Sequence, residues 1–418
     1  MKNRLTRSNP AFFLLNGLVY ASHCSLFVFT LTILLEYNFT TIQCGIVTTA
    51  QSIVLMCVLP LYGYIMDNYL SAKKTTIIMF ICGLISAIPL PYTLNMGFGI
   101  VLIHFIILSF FVFCSGAVLD AWSVEMINKT RGMDYAIVRG GGSIFYAITS
   151  LLCGFAITSI GVSAVIIIHI VCTALTVLLA CILPDSQKIK SDFPELDSAI
   201  DKTKKVSLME SIKYLFTNKE YVRLLICVCL FLFALRPTST YLPLLLNNIG
   251  GDGSTFGISQ FISAAFEALV MIITTKLIIH GMSKELCLSL GWFVLAIRML
   301  IFFLTDNIVI ILISQIVQSI GYGLQLRAYA EYTVSVVEHK YRATAITLMA
   351  SLSNGFGTVF GNFIGAKLID SLGIMTFTAI CLVIMLLAAI IFIPPVILAH
   401  KRKKIEMYQR LIQSSQNK

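Results

Sequence analysis

The sequence predicts an all-α, polytopic membrane protein of twelve transmembrane helices in two six-helix pseudo-repeats. Three observations carry that prediction. Of the 418 residues, 58% are hydrophobic and only 12% charged, against roughly 25% charged in an ordinary soluble domain. Apolar runs of about 20 residues, the length that takes a helix across a hydrocarbon layer about 30 Å thick, recur twelve times. Finally, Lys and Arg are nearly confined to alternate connections between those runs, the asymmetry that sets orientation in a bilayer.

In chain order the runs are 12–35, 41–66, 75–94, 98–122, 135–159, 162–183, 221–245, 255–279, 286–304, 308–332, 343–369 and 375–399. The amino end, MKNRLTRSNP, is basic but leads into a run too long for a signal-peptide core, and no small-residue cleavage pattern follows, so an uncleaved first helix is expected. Connections on one side (TLNMG, SIGVS, NNIGGDGST, TDN) hold almost no Lys or Arg and those on the other hold nearly all, which places both termini in the cytoplasm. The net charge of +10 therefore reports topology rather than nucleic-acid binding: the positives lie in short clusters, as at Lys73 and Lys74 or 401–404.

The one long polar segment, 184–220, divides six runs from six and reads as a cytoplasmic linker with a surface helix near 207–216. The expected organisation is a six-helix bundle over 1–183, this linker, a second bundle over 221–400 and a basic cytoplasmic tail over 401–418. Traces of duplication remain, since Arg139 opens the fifth run as Arg342 opens the eleventh, each followed fifteen residues later by a glycine, Gly154 and Gly357. Such duplication is typical of secondary transporters, with the site between the halves. Gly357, Gly361 and Gly365, four apart, predict close helix contact. Pro237 frees a backbone carbonyl in the seventh run, either as a cavity-lining kink or as a structural one. The twelve cysteines lie almost entirely inside apolar runs and read as buried small hydrophobes, not as metal ligands or disulfides.

The functional clue is charge where the chain is otherwise too apolar to tolerate it. Asp120 and Arg139 flank the polar turn near 129–132 at similar distances, so antiparallel helices with a rise of about 1.5 Å per residue bring them to one level. Gly142, Ser143 and Tyr146 follow Arg139 at three, four and seven residues and share its helical face. That face offers charge, close approach, a hydroxyl and a ring, the mixture a sugar or nucleoside needs, although helix packing by the glycines would also explain it. Glu267 and Arg298 each sit near mid-depth on successive antiparallel helices and form a second candidate pair, able to load and release a proton or merely to join two helices. Arg236, Arg327 and Glu331 are the remaining charges in apolar runs, with Glu331 able to neutralise Arg327 at i, i+4. Four arginines against three carboxylates leave one positive charge that an anionic solute would balance or that snorkels to the surface. His23, His104 and His169 are scattered singly without metal-ligand spacing, and only His23 is worth testing as a proton carrier.

At this point the chain resembles the major facilitator superfamily over essentially its full length. Gly63, Asp67, Lys73 and Lys74 look like that family's loop motif, in which the carboxylate caps or pairs with helix ends and the bases anchor the cytoplasmic face; Asn68 and Leu70 stand where a base and a glycine are usual. More narrowly the chain is similar to the lactose permease and nucleoside:proton symporter branch, through DAW at Asp120, VRGGGSIFY at Arg139, FEAL at Glu267, Arg298, and the run RATAITLMASLSNGFGTVFGNFIGAKLIDSLG from Arg342. The resemblance implies that Asp120 and Arg139 contact solute hydroxyls, that Tyr146 replaces a stacking tryptophan, and that Glu267 with Arg298 links solute binding to proton movement. The chain departs in the tenth run, where lactose permease carries a histidine and a glutamate and QSIGYGLQLRAYAEY offers Gln318 and Gly321, so proton handling is expected at Glu267 or Glu331. The glycine-proline motif of drug:proton antiporters is missing from SLLCGFAITSIGVS, which favours uptake over efflux.

The expected function is a monomeric secondary transporter of the inner or plasma membrane that moves a small polar solute by alternating access, with a proton and no cofactor. Asp120, Arg139, Ser143, Tyr146, Arg236 and Arg327 are the candidate solute contacts, and Glu267, Arg298 and Glu331 the candidate proton-coupling groups. A carrier of a small organic anion and a transport-inactive sensor or scaffold are the alternatives. An enzyme is disfavoured, because the sequence shows no clustered nucleophile and base, no metal-ligand spacing and no phosphate loop.

Overall fold

The computed structural model describes residues 9–130, 132–188 and 208–401. Most of the linker and the basic tail beyond Lys401 therefore lie outside the described residues, as do the side chains of a few helical positions, Arg327 among them. The described regular structure is all helical, and a helix or helix pair stands at each predicted run. They are α1 (Asn9–Glu36), α2 (Thr41–Asn68), α3 (Ala72–Ala87), α4 (Phe98–Lys129), α5 (Tyr135–Ile160), α6 (Ser163–Ile182), α7 (Lys219–Thr240), α8 (Gly253–Ile279), α9 (Lys284–Leu304), α10 (Ile308–Val336), α11 (342–372) and α12 (Ile374–Lys401). Ten described stretches are long and apolar enough to cross a membrane. The third run instead ends its helix at Ala87 and finishes in a separate turn, Leu90–Thr93, and α11 is relieved by a π turn at Ser353–Thr358.

Helix starts are set by ordinary capping chemistry. Thr40 and Asp252 form capping boxes with Gln43 and Thr255, and the side chains of Ser71, Asn218, Ser283 and Asn307 accept first-turn N–H groups of α3, α7, α9 and α10. The fourth helix outlasts its apolar run by seven residues, from Trp122 to Lys129, because its polar last turns are held: Ser186 donates to Glu125, and Lys129 Nζ donates to the Ser186 carbonyl at 3.1 Å. The expected surface helix is present at Leu208–Thr217, where Tyr214 stacks on Tyr341 at 4.2 Å and Glu210 accepts from the Tyr341 hydroxyl at 2.9 Å.

Buried apolar side chains such as Phe12, Trp122, Phe231 and Trp292 fill the bundle interior, while Ile103, Leu152, Ile167, Leu178, Phe293, Ile313 and Val383 remain exposed around it. Helices apolar on both faces place this belt against lipid tails. Within the carboxy-terminal helices, α9 packs on α10 and α12, and α8 packs on α10 and α5. Along α11 the four-residue glycine spacing does what was expected of it. Cβ atoms added at Gly357 and Gly361 would lie 2.8 Å from Leu232 Cβ and 2.7 Å from the Phe233 carbonyl of α7. Pro237, buried within a continuous α7, packs against this stripe, 3.2 Å from the Cβ position of Gly361.

The halves meet along α5 with α8 and along α2 with α11. At the face away from the linker the approach is backbone to backbone: a Cβ at Gly154 would lie 2.7 Å from both the Gly253 carbonyl and Gly257 Cα. There Thr158 Oγ1 of α5 donates to Asp252 Oδ2 at 3.2 Å and accepts from the Ser254 N–H at 3.0 Å. Nearby, the Tyr241 hydroxyl donates to the Asn362 carbonyl at 2.9 Å beside Gly45 of α2. At the linker face the hydrogen bonds described join helices of one half, as in Ser71 to Asp185 at 2.7 Å or Asn218 to the Val336 carbonyl at 2.7 Å.

Candidate functional site

A cavity of about 370 Å³ lies between the halves. Each contributing helix presents polar or aromatic residues at helical spacing: Tyr20 and His23 on α1, Arg139, Gly142, Ser143 and Tyr146 on α5, Arg236 and Ser239 on α7, Gln260, Ser263 and Glu267 on α8, and Gln318 and Tyr322 on α10. Offsets of three, four and seven put such residues on one face of each helix, so in a membrane-embedded helix they face inward together.

Five predicted site residues converge here: Arg139, Ser143, Tyr146, Arg236 and Glu267. Asp120 stands behind Arg139, with its Oδ1 3.9 Å from Arg139 Nε and both side chains about one-third exposed. The guanidinium carbon also lies 4.1 Å from the Tyr20 ring centre, so Arg139 is held by a carboxylate and an aromatic face. A Cβ on Gly142 would come within 2.8 Å of Arg139 Nη1, so only glycine leaves the guanidinium this room one turn along. The Tyr146 hydroxyl donates to Gln260 Oε1 at 3.2 Å, a bond from one half to the other. Glu267 is placed where the guanidiniums of Arg139 and Arg236, one from each half, attract its carboxylate.

Arg298 is placed elsewhere. It is fully buried, donates from Nη2 to Gln315 Oε1 at 3.1 Å and stacks 4.4 Å over Phe302. The expected Glu267–Arg298 pair is not formed, because adjacency in sequence is not adjacency in the bundle: α10 packs against both α8 and α9, and Glu267 faces the cavity on the side of α8 turned to α5. Glu331 lies toward the linker face near Cys287 of α9 and is not among the cavity-lining residues. The side chain of Arg327, and with it the expected Arg327–Glu331 pair, lies outside the described ones.

In the loop motif, Lys73 Nζ donates to the carbonyls of Cys181 and Leu183, tying α3 to the end of α6. Lys74 and Asp67 are exposed, and nothing lies within 4 Å of a Cβ on Gly63. The carboxylate that serves the helix end is instead Asp185, buried and accepting from Ser71. Tyr20, Ser239, Gln260, Ser263 and Tyr322 were not anticipated. Gln260, Ser263 and Glu267 at i, i+3, i+7 were a readable signal, but uncharged residues on an apolar helix stand out less than charges do.

Comparison with known proteins gives a consistent picture. Residues 12–404 match the family described as the MFS_1 like family. The uncharacterized transporter YwbF of Bacillus subtilis (strain 168) is 23% identical over 342 residues, 81% of each chain. Among solved structures, a variant of the nucleoside transporter NupG superposes with a TM-score of 0.79 at 18% identity, covering 92% of this chain and 99% of that one. A D-xylose-proton symporter superposes with a TM-score of 0.69 at 12% identity, covering 92% and 96%.

Proposed function

The chain belongs to the MFS_1 like family, and on that premise we propose that it carries a small polar solute of the sugar or nucleoside class by alternating access, inward across the cell membrane and in symport with a proton. The observation that carries this reading is the convergence of both halves on one cavity, with Arg139, Ser143 and Tyr146 from one and Arg236, Gln260 and Glu267 from the other. A solute bound across that seam is gripped by both halves and biases their relative rocking. Hydrogen-bonding groups beside aromatic faces suit a ring that bears hydroxyls on its edge and C–H groups on its face. Likeness to a nucleoside transporter and a xylose-proton symporter supports the solute class and the coupling ion.

Glu267 is the proton-loading group in this reading. Ionised, it adds a negative charge to a cavity wall that carries Arg139 and Arg236; protonated, it removes that charge, so proton and solute occupancy change the cost of burying these groups as the halves close. With the far face knitted, the linker face is the side from which the cavity exchanges solute; that face is cytoplasmic, with both termini, and the unit of transport is the monomer.

The test records external pH around de-energised proteoliposomes in weak buffer as sugars, nucleosides and small acids are added in turn. Alkalinisation with sugars or nucleosides, lost in Glu267→Gln, is the expected result. Accumulation driven by pH that survives Glu267→Gln removes the proton from this residue, and silence while labelled solute equilibrates makes the protein an uncoupled facilitator. A second reading, carriage of a small organic anion, is favoured by the two arginines against one carboxylate on the cavity wall. Competition by small carboxylates, but not by neutral sugars, would select it.

A further inference from the structure

His23 lines the solute cavity yet neither ring nitrogen has a hydrogen-bond partner among the described residues, and Nδ1 is fully buried. An imidazole left so in an apolar protein costs on the order of 1–3 kcal/mol, which calls for a reason. The surroundings show that the ring is held, not loose. It stacks on Phe113 of α4 with centres 5.1 Å apart and planes at 15°, and Phe27 packs against both, 5.4 Å from His23 and 4.8 Å from Phe113. Both neighbours belong to π turns, Cys24–Val28 in α1 and Ser109–Phe113 in α4, and such turns break helix register and re-aim the side chains beside them.

The backbone beside His23 is pinned as well. His169 of α6, fully buried, donates from Nδ1 to the Ser22 carbonyl at 2.8 Å, and the Ser22 and Thr173 hydroxyls share a bond at 2.7 Å. That donation fixes the tautomer of His169 and leaves it no proton to offer from Nε2 while neutral. The charged groups lining the same cavity are Arg139, Arg236 and Glu267, with Tyr20 and Tyr146 beside them. In the role argued below, the imidazole acts as a neutral donor or acceptor.

We propose that His23 is a specificity-determining residue, the neutral group of the amino-terminal half that hydrogen-bonds a hydroxyl or base nitrogen of the solute while Glu267 and Arg236 hold its other end. The assignment rests on the sugar or nucleoside reading above. It places the solute across the seam, from α1 to α7 and α8, and it explains why a ring packed among phenylalanines carries nitrogens at all.

The test is equilibrium exchange of labelled solute in proteoliposomes without a pH gradient, for full-length wild type, His23→Leu, His23→Asn and His23→Gln. It is run with the best sugar or nucleoside and with its singly deoxygenated or deaza analogues. His23→Leu is expected to raise the half-saturating concentration about tenfold, the order of one neutral hydrogen bond. One analogue should be insensitive to the substitution, because it already lacks the partner group. His23→Asn, which places an amide near the position of Nδ1, or His23→Gln, which places one near Nε2, should recover part of the loss. An equal loss with every analogue, or no loss with any, overturns the proposal while leaving the solute class intact. Wild type that exchanges no sugar or nucleoside overturns the function reading first and this assignment with it.

Discussion

At the scale of single residues, Arg139 and Arg298, both in membrane-spanning helices, show how neighbours divide identical chemistry. Arg139 faces the cavity between Asp120 and the Tyr20 ring, where it can exchange partners with a solute. Lysine at this position keeps the charge but loses the planar stacking surface. Arg139→Lys is therefore expected to weaken solute exchange by about tenfold, a rise in half-saturating concentration read by the same exchange assay, while Tyr20→Phe, which keeps the ring, should change it little. Arg298 has no such outlet. Its described hydrogen bond is to Gln315, and a buried bond to a charged group contributes about 1.5–3 kcal/mol. Gln315→Leu should thus lower the thermal midpoint without altering solute affinity, and adding Arg298→Met should restore much of it, since removing both partners of a buried polar pair costs less than removing one. A change in half-saturation in Gln315→Leu would instead return Arg298 to the transport machinery. Sequence reasoning found both arginines because charge in an apolar run is conspicuous. The Asp120–Arg139 pair was readable because a single short turn joins their helices, whereas Arg298 was matched to Glu267 instead of Gln315, because depth along a helix is readable from sequence and azimuth around the bundle is not.

Between elements, glycine decides where helices touch. The α7–α11 contact was legible as a four-residue stripe, whereas the α5–α8 contact sets Gly154 against Gly253 and Gly257, and nothing local to either helix shows that these glycines meet. A side chain at Gly257 would meet the Ser150 carbonyl at 2.5 Å, and backbone cannot give way as a flexible side chain does. Overpacking of this kind costs about 1–3 kcal/mol when the structure absorbs it. In the proposed alternating-access cycle the two halves separate instead of absorbing it. Gly257→Val should therefore favour the form open at the far face, seen as greater labelling by an impermeant thiol reagent of a cysteine introduced at Ser143 in an otherwise cysteine-free protein. An unchanged labelling rate would show that α5 and α8 accommodate the side chain without parting.

For the molecule as a whole, the proposed rocking of the halves requires the far-face contact between Thr158 and Asp252 to break. Slight burial pushes the Asp252 carboxyl up, but hydrogen bonds from Ser254, Thr255 and Thr158 outweigh that and hold it at about 2, below its ordinary 3.8. A depressed carboxyl stabilises the contact fully above its ordinary value and loses that contribution only as pH falls through about 2. Spin labels on cysteines introduced at Ser159 and Asn248 should therefore report the same far-face distance from pH 8 to pH 5 in a Glu267→Gln background, and a longer one when Asp252→Ala is added. A pH-dependent shift in the Glu267→Gln protein alone would place a titrating group in the far-face contact itself. The membrane class, the helical runs, the polar face of α5 and the charges within apolar runs were legible in the chain alone, because hydrophobic length and i, i+3 or i, i+4 spacing are local properties. Tertiary packing was needed to place Glu267 in one cavity with Arg139 and Arg236 rather than beside Arg298, to join Gln260 and Tyr146 across the halves, and to bring His23 into the same cavity. Those pairings depend on which helices are neighbours, a consequence of packing summed over the whole bundle that no single stretch of chain encodes.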